Sequence, residues 1–374
     1  MKKIAILTLP GNFNYGNRLQ NYALQTILEE KGYHTETLNI EFSRKNNIQK
    51  ICNAIVRCLK TPSLIKMFFR KREYGNSFTQ MTKLKSPKLQ PFTENNLKIR
   101  TVEKEDLYTI ESQYDFFIVG SDQVWNQSAI SDNTFFLDFV PYEKRYSYAA
   151  SFGKSEILNA DKRYFKKNIE SMKKISVREF AGKEIVHNLT GRDACVHVDP
   201  TMLLTSCEWR KLAQQEDTGW LPRKKFILIY TLRGMDKAIK KELVEIAEKN
   251  SYEIISIMGD SIDENSRILS VIQFIQAIDR AELVITDSFH GTVFSIILNT
   301  PFQVLERKTG NMNSRIDTLL DKFNLSKNSN KINTSLEEIL ITDFSGVESI
   351  LLRERKKSMK YFDSFLIDSV TSNE

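Results

Sequence analysis

Short runs of β-branched and aromatic residues alternate with longer stretches of helical periodicity along most of the chain. Nearly every run stops at a polar or glycine-containing loop. Parallel sheets covered by helices produce this pattern, because a parallel strand is buried on both faces and needs a crossover element to reach its neighbour. The chain is therefore expected to be an α/β protein, with strands at 4–9, 115–120, 145–150, 174–177, 194–198, 225–231, 253–257, 283–286 and 302–305. Open parallel sheets bind ligands in the crevice beyond the carboxyl ends of their strands, so function is expected in the loops that follow these runs.

A chain of 374 residues suits two domains of ordinary size. The break is expected near 214–223, where Gln214-Gln215-Glu216-Asp217-Thr218-Gly219 precedes Trp220-Leu221-Pro222 and a new strand. This gives a first domain at 1–218, a second at 219–345, and a helical segment at 346–374 expected to cross back onto the first. No stretch reaches the ~18 consecutive apolar residues of a membrane-spanning helix. Pro10-Gly11-Asn12 interrupts the apolar start before a secretory signal can form. The four cysteines, Cys52, Cys58, Cys195 and Cys207, include no Cys-x-x-Cys pair and are too sparse for a disulfide framework, so a reducing, cytoplasmic setting is expected.

The net charge of +7 is concentrated: residues 41–100 hold 14 Lys and Arg against Glu41, Glu73 and Glu94. Within 48–72, Ile48, Ile51, Cys52, Ile55 and Leu59 share one helical face. Two readings stay open, a solvated helix packed on its own domain or a peripheral contact with anionic lipid at the inner face of the membrane. Nucleic acid is not an expected partner, because the aromatics cluster with apolar residues instead of interleaving as stacking platforms.

Four loops carry residues suited to chemistry. The loop Pro10-Gly11-Asn12-Phe13-Asn14-Tyr15-Gly16-Asn17-Arg18 opens a helix and offers backbone N–H groups, but it has neither a dinucleotide nor a Walker spacing. Gly120-Ser121-Asp122-Gln123-Val124-Trp125-Asn126 follows a buried strand; it is either a ligand loop or a helix cap with Trp125 in the core. Arg178 and Asp199 stand at two further strand ends. Arg178 could grip a carboxylate or phosphate or pair with a Glu, and Asp199 could serve a site or cap a helix. Leu283-Val284-Ile285-Thr286-Asp287-Ser288-Phe289-His290-Gly291-Thr292 places His290 at a helix N-terminus, where an anion and a titrating group can meet, unless Asp287 simply satisfies the histidine. Arg307, Lys308 and Arg315 lie on a later loop. With four histidines and no ligand-like spacing, no metal site is expected, and no Gly-x-Ser-x-Gly elbow is present.

Taken in order, Gly11-Asn12-Phe13-Asn14-Tyr15-Gly16, Gly120 to Asn126, Ser151-Phe152-Gly153, Ser176-Val177-Arg178-Glu179, Asp199-Pro200-Thr201 and Asp287-Ser288-Phe289-His290-Gly291 resemble the polysaccharide pyruvyl transferase family over roughly residues 1–320. The resemblance implies two Rossmann-like domains facing a central cleft, as in the GT-B glycosyltransferase fold. It also implies transfer of a pyruvyl group from phosphoenolpyruvate to two hydroxyls of a sugar, in a surface polysaccharide or its polyprenyl-linked precursor, with no further cofactor. His290 then matches the general acid, Arg178 a donor-binding cation, and Asp199 a group that orients its neighbours or accepts a proton. Ser288, Gly291, Thr292, Arg233, Lys308 and Arg315 fall on the donor side; Asn14, Tyr15, Asn17, Ser121, Asp122, Gln123 and Trp125 fall on the acceptor side. Glu179 departs from the Asp of many relatives, and residues 41–100 match nothing in the family pattern. The alternatives are a GT-B nucleotide-sugar glycosyltransferase, for which the second domain lacks a clear ribose-binding acid, and a non-catalytic glycan-binding protein.

Overall fold

The computed structural model describes residues 1–41, 63–126, 133–232, 234–259, 265–306, 314–331 and 334–371, with side chains left aside at 63–78 and 366–371. The first sheet is parallel throughout, in the order β3-β2-β1-β4-β5. Its strands are β1 (Lys3–Leu7), β2 (His34–Glu41), β3 (Ile99–Glu103), β4 (Phe116–Val119) and β5 (Arg145–Ser147). A short parallel pair, β6 (Ser176–Val177) and β7 (Cys195–Val196), extends it through single bridges from Tyr146 to Lys174 and from Ala150 to Val177. A second parallel sheet runs β11-β10-β8-β9, built from β8 (Phe226–Tyr230), β9 (Glu253–Ser256), β10 (Leu283–Thr286) and β11 (Phe302–Val304).

Each expected run overlaps a strand, but β2 and β3 were not expected. In β2 the inward positions include Thr35 and Thr37, so buried hydroxyls break the apolar pattern. Thr37 is satisfied by Asn21 and Gln25 of α1 (Tyr15–Glu30), at 2.7 Å each. At the sheet edge, β3 buries only Val102 and carries no core signature.

Between β2 and β3 lies α2 (Ser63–Asn96), and its final turns place Leu89 and Phe92 in the core, Phe92 edge-on to Tyr22 of α1. The expected amphipathic face at 48–62 falls outside the described residues. The last helix is α10 (Val347–Thr371). It lies on the first sheet: Phe365 packs 4.3 Å from the Tyr146 ring, Tyr361 Oη donates to the Ser147 carbonyl at 2.7 Å, and Arg355 donates to the carbonyls of Met202 and Leu204 at 3.0 Å. No helix among the described residues is long and apolar enough to cross a membrane.

One apolar core joins the sheets. Tyr15 of α1 stacks on Phe274 of α7 (Val271–Arg280) with ring centroids 4.7 Å apart, and its hydroxyl exchanges hydrogen bonds with the Leu269 backbone. The remaining helices used below are α3 (Lys162–Glu170), α4 (Phe180–Thr190), α5 (Ser206–Ala213), α6 (Lys237–Asn250), α8 (Phe289–Leu298) and α9 (Ser314–Lys322).

Candidate functional site

Three strand ends of the first sheet and its extension, β4, β6 and β7, and one of the second, β10, supply the polar cluster. Beyond β4 the chain turns sharply at Gly120, with φ of +122°; a Cβ there would lie 2.2 Å from the Tyr148 carbonyl oxygen, so only glycine fits. The turn delivers Ser121 and Asp122 to the crevice. Beyond β6 comes Arg178, and beyond β7 the chain passes His197 and Val198 to Asp199, which caps a tight turn by accepting from Thr201 N and Oγ1 at 3.1 and 2.8 Å. From the second sheet, β10 ends in Asp287 and Ser288. Ser288 caps α8 by accepting from Gly291 N, and His290 occupies the first turn.

Asp199 is the centre of the cluster. Its side chain is fully buried, and its Oδ2 accepts from Arg178 Nη1 at 2.7 Å and from Ser121 Oγ at 3.0 Å, with His290 Nε2 at 3.6 Å. That last separation is an ionic contact longer than a hydrogen bond. His290 Nε2 is buried and has no hydrogen-bond partner among the described residues. Burial alone would raise the Asp199 carboxyl, but the His290 imidazole, the Arg178 guanidinium and the Thr201 N–H outweigh it and hold the group far below the ordinary carboxylate range.

Arg178 reaches from Asp199 to Asp122, whose Oδ1 lies 3.3 Å from Nη2. Desolvation works against charge on both groups. For Asp122 it is outweighed by Arg178, then His290 and Arg315, which draw the carboxyl below its usual value. The Arg178 guanidinium lies over the Phe289 ring at 4.3 Å, and Arg315 of α9 lies 5.6 Å from the same ring. Phe289 thus spaces two buried cations by presenting its π face to each, a contact that strengthens when desolvated.

The positions taken by the expected site residues divide them. His290, Asp199, Arg178, Ser121 and Asp122 meet, and Arg315 stands beside them. Ser288, Gly291 and Thr292 form the first turn of α8, where Thr292 Oγ1 donates to the Ser288 carbonyl at 3.1 Å and a Cβ on Gly291 would strike Thr286 Oγ1. Asp287 does not hold His290; its Oδ1 accepts from Leu232 N at 2.6 Å. Arg233 and Lys308 fall outside the described residues.

The acceptor-side set needs correcting. Tyr15 and Trp125 are wholly buried, Tyr15 as described above and Trp125 stacked on Phe136 at 5.5 Å with its Nε1 donating to the Phe135 carbonyl. Asn17 is also buried, its Oδ1 accepting from Arg18 Nε at 3.1 Å. None of the three offers a surface to a sugar, because each side chain points back into packed structure. Asn14 caps α1 by accepting from Asn17 N, and Gln123 Oε1 accepts from Asn126 Nδ2 at 2.7 Å. Ser121 serves Asp199, through its hydroxyl.

Two groups were missed in the sequence. Gly16, in the first turn of α1, lies against the imidazole: a Cβ there would fall 1.9 Å from His290 Nδ1. Glu179 is wholly buried beside Arg178. Its Oε1 accepts from Ser151 Oγ, Phe152 N and Gly153 N at 2.9, 3.0 and 3.4 Å, tying the Ser151-Phe152-Gly153 loop to β6. Its Oε2 is without a partner among the described residues. Burial raises this carboxyl above its ordinary 4.5 despite Arg178, Arg315 and its hydrogen bonds. A carboxyl raised in the folded state loses stability as pH rises through the interval between its unfolded and folded values. Glu179→Gln is therefore expected to gain stability relative to wild type as pH is raised above the unfolded carboxyl value of about 4, measured as the difference in urea midpoint at each pH. A gap that is flat with pH would contradict the assignment.

Among the described residues, no group of three or more His, Cys, Asp or Glu side chains is placed to hold a metal ion. The polysaccharide pyruvyl transferase family model matches residues 14–309, a span that holds His290, Asp199, Arg178, Ser121 and Asp122. No curated protein matches the sequence. Among solved structures, UDP-GlcNAc 2-epimerase from Methanocaldococcus jannaschii in complex with UDP-GlcNAc and UDP aligns over 96% of this chain and 100% of its own, at 13% identity and a TM-score of 0.51. A second structure of that enzyme gives 12% identity, the same coverages and a TM-score of 0.50. At such identity the likeness speaks for the fold alone, two parallel α/β halves of the GT-B type. With the family model spanning most of the sequence, the chain belongs to the polysaccharide pyruvyl transferase family.

Proposed function

We propose that the protein transfers the pyruvyl group of phosphoenolpyruvate to two hydroxyls of one sugar, forming a cyclic ketal and releasing phosphate. The observation that carries this reading is the buried His290 Nε2, unpartnered among the described residues, 3.6 Å from an Asp199 carboxylate that Arg178 also grips. A proton donor held beside a fixed counter-charge, with cations for a carboxylate and a phosphate, is what the chemistry demands.

In this mechanism His290 gives its proton to the methylene carbon of the donor, which leaves C2 electrophilic. One sugar hydroxyl adds to C2 and gives up its proton. The second hydroxyl displaces phosphate and gives up its own, so one of the two hydroxyl protons restores His290 and the other leaves with phosphate. Arg178 and Arg315 face the anionic donor, and Asp199 balances the imidazolium when His290 carries its proton. The test is phosphate release from phosphoenolpyruvate by purified protein with galactose-, glucose- and mannosamine-type acceptors. Acceptor-dependent release supports the reading; none with any acceptor, together with binding of a nucleotide sugar, would favour a glycosyltransferase.

The reading makes Gly16 a sharp probe. The residue is helical, so alanine suits its backbone and should favour the helix by up to ~1 kcal/mol. Its Cβ would displace the imidazole, however, and a misplacement of this order costs about 10²-fold in rate. Gly16→Ala is expected to lose phosphate release to that extent and, because its Cβ would also fall 2.6 Å from His290 Cβ, to melt lower by an overpacking cost of about 1–3 kcal/mol; unchanged turnover would show that His290 is not used where it stands.

A further inference from the structure

A cavity of about 580 Å³ lies beyond the carboxyl end of β1 and along the middle of β2, and is walled on one side by the last turns of α2. It is bounded by Thr8, Asn12, Arg18, Asn39, Gln90 and Thr93, among others, and it is large enough for a sugar unit with a substituent. Its walls are built: Thr93 Oγ1 of α2 donates to Asn12 Oδ1 at 2.6 Å, joining the helix to the loop after β1. Thr8, in the wall of the cavity, is tied to the catalytic cluster by hydrogen bonds. Thr8 Oγ1 donates to the Ser121 carbonyl at 3.2 Å, and Ser121 Oγ in turn donates to Asp199.

Arg18 gives this cavity its character. The side chain is almost entirely buried, yet its partners are uncharged: Nη2 donates to the Leu9 carbonyl at 3.1 Å, and the guanidinium also bonds Asn17 Oδ1. It forms no ion pair among the described residues, and Asp122 acts on it only from a distance. Desolvation lowers it to about 10, which still leaves it charged at neutral pH. A buried guanidinium without a carboxylate is costly unless an anion completes it, and its planar fork suits a phosphate or carboxylate. The second charged group of the cavity, Glu94, is exposed and accepts from Gln90 Nε2 at 2.6 Å.

We propose that this cavity is the acceptor subsite and that it takes a sugar bearing an oxyanion, held by Arg18, with the hydroxyls meeting Asn12, Asn39, Gln90 and Thr93. The inference rests on the pyruvyl-transfer reading for the word acceptor. It moves acceptor recognition from Tyr15, Asn17 and Trp125 to a cavity partly walled by α2. Specificity for the sugar is then set by that helix.

The experiment is isothermal titration of three matched probe sets: the 1-phosphates of glucose, galactose and mannose, the corresponding uronic acids, and the neutral methyl glycosides. The titrated proteins are wild type, Arg18→Gln and Asn39→Phe, and phosphoenolpyruvate is titrated separately into each. At least one anionic set is expected to bind about tenfold more tightly than its neutral counterpart, as one charge-assisted contact provides. Arg18→Gln should erase that difference. Asn39→Phe, which puts a ring into the cavity, should remove sugar binding and leave phosphoenolpyruvate binding intact. Preference for the phosphates identifies a glycosyl phosphate as the source of the anion, and preference for the uronic acids a carboxylate sugar. Equal binding of anionic and neutral sugars by wild type, or an anionic preference that survives Arg18→Gln, overturns the proposal. Loss of phosphoenolpyruvate binding in place of sugar binding would also overturn it, by assigning Arg18 to the donor. Failure of the pyruvyl-transfer reading looks different: phosphoenolpyruvate neither binds nor yields phosphate, whatever the sugars do.

Discussion

His290→Ala is expected to lower acceptor-dependent phosphate release by roughly 10²–10⁴-fold, the usual worth of a positioned general acid, while the protein stays folded and still binds phosphoenolpyruvate. The expectation follows from what surrounds the ring. Nε2 has no hydrogen-bond partner among the described residues, and Asp199, which loses its ionic contact with the ring, keeps Arg178, Ser121 and Thr201, so the truncation is one the fold can absorb. All ten residues of α8 are buried and keep the helix in place. Rate and stability should thus separate. Steady-state phosphate release, titration of phosphoenolpyruvate and thermal melting on one preparation decide the matter. A variant that keeps more than about a tenth of wild-type turnover would remove His290 from the proton-transfer step, since even a modest general acid contributes more than that. His290→Gln sharpens the test: it keeps a polar side chain near Asp199 but offers no titrating proton, and it should be as slow as alanine.

How far the sequence could carry this depended on direction as much as on type. Runs such as 226–230 and 283–286 are apolar on both faces, so their strands and the loops beyond them were legible, and with them Arg178, Asp199 and His290. A loop position says where a residue sits along the chain but not which way its side chain turns. Tyr15 and Trp125 stand in the right loops and point inward, because an aromatic ring beside an open core position finds more contact there than in a polar crevice. Asn14 and Asn17 were spent on the helix start and on Arg18, as short polar residues in first turns commonly are. Glu179 was invisible for a different reason. Its partners at Ser151, Phe152 and Gly153 lie 26–28 residues away, and only the parallel register of the sheet brings them together. Gly16 could have been suspected, since a glycine inside the first turn of a helix weakens it and calls for a close approach by something else. Nothing in the sequence says that the something is His290.

Asp199→Asn is expected to damage both stability and turnover, and more severely than any other single change in the cluster. The carboxylate is wholly buried and carries contacts from Arg178, Ser121, Thr201 and His290. Asparagine keeps the shape and one acceptor oxygen, but the amide turned toward either the Arg178 guanidinium or the Thr201 N–H presents a donor to a donor. Arg178 is then left with Asp122 at 3.3 Å as its counter-charge. Removing one partner from a buried ion pair costs about 3–5 kcal/mol, so the urea midpoint at pH 7 should fall sharply. The pH dependence gives the charge its own signature. The Asp199 carboxyl lies well below its ordinary value in the folded protein, so its contribution is fully present above the unfolded carboxylate value of about 3.9. That contribution is lost progressively as pH falls below this value toward the folded one. The gap between wild type and Asp199→Asn should therefore be constant from pH 7 to about pH 5 and narrow as the solution is acidified further. Turnover at pH 7 should fall with it, because His290 loses the carboxylate beside it and Arg178 its anchor. A gap that did not narrow in acid would mean that the cost is one of packing; a variant with normal turnover would show that the buried carboxylate holds the fold together and takes no part in the reaction.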